Sequence, residues 1–265
     1  MMKTSFMFIG SLALSLWAGS AAAQTPAWPN AIADNSFLIE EAYNQEQGVV
    51  QHISTFFQLP GPPRASDYAF TQEWPVGGQR HQVSYTLPYL FRDGAGGLGD
   101  VLLNYRYQLR DGQQGTAISP RVSLVLPTRG SLRAGFTGVQ VNLPVSRRWS
   151  AALVTHFNAG ATQLVRGGES DLRGYNLGAS VIGLLTPRLN VLVEAVAVWT
   201  EVNDGERIVR ERQLVLSPGV RGAIDVGGLQ IVPGVALPLT RSKGRTRTGV
   251  FAYLSLEHAF KASGR

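Results

Sequence analysis

The chain has 265 residues, no cysteine and a formal net charge of +6. The lack of cysteine excludes a disulfide scaffold, a thiolate metal site and a lipid-modified cysteine. The charge is spread along the chain rather than gathered in a basic stripe, which argues against nucleic acid as a partner.

The first residues, MMKTSFMFIGSLALSLWAGSAAAQ, place Lys3 before an apolar run and Ala21-Ala22-Ala23 before Gln24. This is the layout of a cleavable secretory signal over residues 1–23, so the exported chain is expected to begin at Gln24. No other apolar run approaches the roughly 18 residues of a spanning helix.

Residues 24–48 form a segment ahead of the first strand, expected on the periplasmic side. In DNSFLIEEAYNQE, Asp34, Asn35 and Ser36 are good N-cap residues, and Phe37, Leu38, Ala42 and Tyr43 share one face of a short helix. Glu40 and Glu41 lie early, where the helix dipole favours acids. Such a helix is either a plug or docking element, or a cap over the base of the fold.

From Val49 to Phe260 one unit recurs: an alternating strand of about nine to thirteen residues, then a connection. About twelve such strands are legible, among them Gln82–Phe91, Asp100–Leu109, Ala151–Leu164, Leu172–Leu185, Leu189–Thr200 and Gln213–Ile224. Between two of them GAGGLGD has the G-x-G-x-x-G spacing of a dinucleotide-binding loop. That loop must open a helix, whereas VLLNYRYQLR, which follows, alternates with period two. The glycines therefore join antiparallel strands, with Asp93-Gly94 supplying a positive-φ turn.

Short connections (SRR, TPR, DVGG) take turns with long polar ones (LVRGGESD, EVNDGERIVRER, RSKGRTRTG). That asymmetry, an even strand number and aromatic residues near strand ends on the apolar face (Phe70, Trp74, Tyr89, Phe91, Tyr107, Trp199, Phe260) predict a single antiparallel transmembrane β-barrel over residues 49–265. A soluble β-sandwich is the competing fold.

Three stretches, DNSFLIEEAYNQEQGVVQHI (34–53), GLGDVLLNYRYQL (97–109) and YLSLEHAF (253–260), resemble the outer-membrane transporter-like proteins grouped under the meta-pathway of phenol degradation. The resemblance implies an outer-membrane barrel linked to uptake of hydrophobic or aromatic compounds, and supplies no catalytic residues. The aromatic close of the last strand, at Phe260, resembles the signal read by the barrel-insertion machinery.

By strand parity Glu73, Asp100, Arg106, Arg121, His156, Glu194, Arg221 and Glu257 face inward. They either form a constriction that orients a polar solute or pair across the interior and occlude it. Phe37, Leu38, Glu40, Glu41 and Tyr43 are the candidate plug or cap residues. Arg241, Lys243, Arg245 and Arg247 either pair with lipopolysaccharide phosphates or are merely solvated. The four histidines show no metal-ligand spacing, no G-x-S-x-G elbow is present, and no cofactor is expected; His156 meets Ser123 or Ser180 only through long-range pairing. The sequence thus points first to a passive outer-membrane channel for small, hydrophobic or aromatic solutes, second to a closed structural barrel contacting lipopolysaccharide, and third to a lipid hydrolase.

Overall fold

The computed structural model describes residues 32, 34–59, 65–113, 115–128, 135–166, 170–203 and 205–260. The expected signal segment lies outside them, as do Arg129, Arg133 and the tail after Phe260.

The strands are β1 (Val49–Leu59), β2 (Ala65–Pro75), β3 (His81–Arg92), β4 (Ala95–Leu98), β5 (Val101–Tyr107), β6 (Arg110–Asp111), β7 (Thr116–Ile118), β8 (Arg121–Leu126), β9 (Thr137–Ser150), β10 (Leu153–Arg166), β11 (Ser170–Thr186), β12 (Leu189–Asn203), β13 (Ile208–Gly222), β14 (Ile224–Val226), β15 (Leu229–Ala236), β16 (Leu239–Ser242), β17 (Arg245–Thr248) and β18 (Val250–Ala259). β4, β5 and β6 form one interrupted stave, and so do β7 with β8, β13 with β14, β15 with β16, and β17 with β18, giving a closed barrel of 12 antiparallel staves. Closure is made by β1, which pairs with β2 on one side and β18 on the other. The spanning backbone N–H and C=O groups thereby find partners in neighbouring staves, which is what allows a β-fold to sit in hydrocarbon.

Alternation divides the wall into two faces. Val122, Leu124, Val139, Val141, Val191, Val193 and Leu254 point outward and are exposed, while their neighbours Ser123, Gln140, Asn190, Glu194 and Ser255 point inward and are buried. A soluble sandwich puts its apolar face inside; here the apolar face is the outer surface. Aromatic side chains on that surface gather at two levels. Trp74, Tyr85, Tyr105, Tyr107 and Trp149 lie toward the base, where the chain enters β1 and leaves β18; Tyr68, Tyr89, Phe91, Tyr175 and Trp199 lie toward the opposite tips. Such paired belts suit the two polar boundaries of a bilayer.

Two expectations change. The polar stretches read as long loops are largely strand: β10 runs to Arg166, β11 starts at Ser170, β12 runs to Asn203, and β16 and β17 turn on Lys243-Gly244, with φ of 50° and 75°. A tilted strand crosses the bilayer in about 9–11 residues, so the 17-residue β11 projects beyond it. There both faces meet water, so the polarity pattern is lost while the ladder continues. The turn at Asp93-Gly94 is as expected, with φ of 48° and 89°.

The second change concerns the N-terminal segment, where Asp34–Asn44 forms no helix. It enters the barrel from the base, folds across the lumen and returns to β1. Every residue from Asp34 to Gln45 is buried, none more than 4% exposed.

Ala195 sits on the outward face near the middle of β12, between the two aromatic belts. Its replacement by Arg is expected to destabilise the vesicle-inserted barrel by about 2–4 kcal/mol, the usual cost of a cation at the bilayer midplane. Guanidinium unfolding in lipid vesicles measures it.

Candidate functional site

The lumen segment lacks helix because its backbone is bonded to the wall. The N–H groups of Leu38 and Ile39 both donate to Glu194 Oε1, at 2.8 and 3.0 Å. Glu40 N–H donates to Asn158 Oδ1 at 2.9 Å, and Asn158 Nδ2 donates back to Glu40 O at 2.8 Å. Gln108 repeats that two-way clamp one turn of chain later, accepting from Asn44 N–H at 2.8 Å and donating to Ala42 O at 2.6 Å. Ala42 N–H reaches Ser146 Oγ at 2.7 Å, and Gln45 N–H reaches Gln82 Oε1 at 2.7 Å. A helix would use these donors internally. The wall offers side-chain acceptors instead, and buried backbone groups must take one or the other.

At the middle of the segment is Glu40. Its carboxylate receives Arg121 Nη2 at 2.6 Å, Arg106 Nη2 at 2.9 Å and Asn142 Nδ2 at 3.0 Å. Burial opposes its ionisation, but the guanidiniums of Arg121 and Arg106 outweigh burial and hold the carboxyl below its ordinary range. Arg106 and Arg121 stand directly opposite each other on β5 and β8. Like charges in that register repel, and Glu40 is the anion that reconciles them.

Next to it, Glu41 behaves in the opposite way. Burial pushes its carboxyl up to about 8, against the pull of Arg221. Its Oε2 lies 3.8 Å from His156 Nε2. Asp34 is likewise raised by burial; its Oδ1 accepts from Gln51 Nε2 at 2.8 Å and Tyr253 Oη at 2.7 Å. Between segment and wall remains a space of about 20 Å³ bordered by Asp34, Glu41, His156, Asn190 and Arg221, room for about one water molecule.

Phe37 is seated by shape. Its ring lies 5.2 Å from that of Tyr253 and 5.6 Å from that of Phe251. Beneath it are Gly219 and Gly234: a Cβ at Gly219 would come within 2.7 Å of the ring, and one at Gly234 closer still. The two glycines form a notch in the wall that the Phe37 ring fills.

All eight inward-facing candidates lie on the lumen side, but in different roles. Arg106, Arg121 and Glu194 touch the segment directly, and Arg221 Nη1 donates to Asn35 O. Glu73 acts one step back, accepting from Gln82 Nε2 at 2.9 Å, while Glu257 stands opposite Gln51 at the base. Asp100 ties down the tip-side connection, accepting from Thr128 N–H at 3.3 Å and Phe136 N–H at 3.2 Å. Arg106 and Arg121 form ion pairs with Glu40 of the segment, which thereby joins the cross-lumen network read from the sequence.

His156 bonds neither Ser123 nor Ser180 but Ser146, with Oγ 2.6 Å from Nδ1. Ser180 is bonded to Ser36 at 2.6 Å. The hydroxyl of Ser146 is engaged by Ala42 N–H and buried beneath the segment, so this serine and histidine support the lumen segment. Asn158, Gln108, Gln82 and Ser146, which carry the segment's backbone, and Asn142, which donates to the Glu40 carboxylate, were not named as site residues from the sequence; their inward parity was the available signal. Arg241, Lys243, Arg245 and Arg247 lie on the exposed β16–β17 hairpin, where Lys243 approaches Glu211 at 3.9 Å.

No protein-family model matches this sequence, and no curated protein matches it. Solved structures match in fold. An outer membrane channel from Pseudomonas putida F1 superposes with a TM-score of 0.65 over 83% of this chain and 98% of that one, at 10% identity. The KdgM porin (TM-score 0.48, 10% identity, 80% of this chain and 99% of that one) and the NanC porin (0.46, 12%, 80% and 100%) are more distant. At such identities the likeness to the P. putida protein establishes the fold alone, a closed antiparallel β-barrel of the outer-membrane kind.

Filling the glycine notch tests the seating of the segment. Gly234→Val is expected to expel Phe37, leaving a folded barrel with larger single-channel conductance in planar bilayers than the parent. The pH dependence follows from the two glutamates. Glu41, raised, favours the docked segment below its ordinary value and loses that contribution as pH rises through about 8. Glu40, lowered, contributes above its ordinary value and loses the contribution as pH falls through its depressed one. Conductance is therefore expected to rise as pH passes about 8, and Glu41→Gln to flatten that alkaline rise.

Proposed function

We propose that the protein is a passive channel of the bacterial outer membrane for small hydrophobic or aromatic solutes, held shut at rest by its own N-terminal segment. The observation that carries this reading is the seat of Glu40 on Arg106 and Arg121. Two facing cations in a lumen are a poor structural device on their own, and removing one partner from such a buried set costs about 3–5 kcal/mol. They make sense as a receptor for a removable anion.

The solute class is supported by the other half of the lumen. Toward the tips, Leu102, Val125, Leu164 and Leu172 point inward and meet Phe136, with Val202 against them. This apolar cluster stands on the tip side of the Arg106–Arg121 pair, in the path of a solute that would reach it. The resemblance of residues 34–53, 97–109 and 253–260 to the meta-pathway transporter-like proteins agrees with an apolar or aromatic cargo. Outer-membrane location accords with the fold and the aromatic belts, and insertion by the barrel-assembly machinery follows from that location.

A second reading, a permanently closed structural barrel, is favoured by the complete burial of Asp34 to Gln45. On that reading Arg241, Lys243, Arg245 and Arg247 anchor it to lipopolysaccharide phosphates.

The two part on conductance. A chain beginning at Gln24 and one lacking residues 24–45 are refolded, and folding is checked by heat-modifiable gel migration. The channel reading expects small or intermittent steps from the longer chain and larger, stable ones from the shorter. Two silent folded chains would rule it out in favour of the closed barrel.

A further inference from the structure

We propose that His52 and His258 form a divalent-metal site of the zinc type that clips the seam where the barrel closes. The two residues lie 206 positions apart and are brought together only by the pairing of β1 with β18, in which His52 faces Leu256 and His258 faces Val50. Both side chains leave the outward face near the base.

Three observations point to a metal. The Nε2 atoms are 3.3 Å apart. Two imidazole nitrogens bound to one tetrahedral zinc ion at about 2.0–2.1 Å stand about 3.3 Å from each other, whereas a nitrogen–nitrogen hydrogen bond of that length is at the long end of its range. Next, His258 Nδ1 lies 3.1 Å from the carbonyl oxygen of Ala259. A carbonyl can only accept, so Nδ1 carries the proton and the neutral ring presents a bare Nε2 toward His52. A ligand histidine whose other nitrogen donates to a backbone carbonyl is the usual arrangement at protein metal centres. Finally, the His52 ring is held by stacking on Phe70, with centroids 6.2 Å apart and planes at 21°, so neither ring must be reordered to bind.

Among the described residues no cluster of three or more metal-ligating side chains occurs, so the remaining positions belong to solvent at the base-side boundary. Two imidazoles suit zinc, copper or nickel and discriminate against magnesium and calcium, which require oxygen. The site joins the first strand to the last, so an ion bound there stabilises the closed barrel by mass action, since it binds the folded state alone.

The test uses untagged, refolded protein in detergent, with zinc chloride titrated by calorimetry and followed by thermal unfolding. Expected are one zinc ion per chain, a rise in the unfolding midpoint reversed by a chelator, and no response to magnesium. His52→Gln and His258→Gln, both on the outer surface, should each weaken binding about tenfold or more and abolish the midpoint shift. His81→Gln, whose ring nitrogen bonds Tyr105 Oη instead, should behave as the parent. Zinc binding unchanged in His258→Gln, or absent from the parent at millimolar zinc, overturns the assignment.

Discussion

A single carboxylate organises the interior. Glu40 is buried at the centre of the lumen and satisfied by two guanidiniums and an amide. In an interior of low effective dielectric, an isolated charge is far too costly, and a pair is tolerable only with good geometry and full hydrogen bonding. Arg106 and Arg121 come from neighbouring strands in direct register. The wall is therefore electrostatically incomplete without the segment, and Glu40 is buried where the wall supplies both guanidiniums. Each half of the arrangement explains the residues of the other.

The same reciprocity explains why the segment has no regular structure. Helices and sheets exist because the backbone must bond to something. Here the inner wall, whose polar residues are required by strand alternation, presents Asn158, Gln108, Glu194, Ser146 and Gln82 at positions that take over that role. The amide of Asn158 and that of Gln108 each imitate one rung of a β-ladder, giving and receiving with one stretch of main chain. Local capping signals at Asp34 to Ser36 predicted a helix because sequence reading weighs neighbours, and these partners lie from 37 to 156 residues away.

The barrel itself was largely legible. Period-two alternation separated Val122, Leu124 and Val193 from Ser123 and Glu194, and it read Glu73, Arg106, Arg121, His156 and Arg221 as inward, the face the structure buries, because one face meets lipid along the whole spanning length. The signal failed wherever that contrast disappears. Beyond the bilayer the tips of β10 to β13 are wet on both faces and read as loops. Inside, Gly219 and Gly234 carry no pattern at all, since their meaning lies in a Phe37 ring supplied by a segment some 180 or more positions earlier. Ser146 and His156 were similarly invisible as a pair, their meeting being set by the offset of β9 against β10.

These two kinds of bonding have different consequences for stability. The wall is closed by backbone ladders in which each stave is satisfied by its neighbours, with no contribution from the lumen segment. The segment is held by side chains whose donors and acceptors can exchange protein for water. Both of its ends are tied to the seam, Asp34 through Gln51 and Tyr253 and Gln45 through Gln51 again, while Glu40 between them reaches the far wall. It is thus a brace across the barrel rather than part of its shell. A structure can lose such a brace without losing its fold, because local opening draws on the least cooperative contacts first. The covalent continuation into β1 keeps the released segment beside the base, where it is available to return.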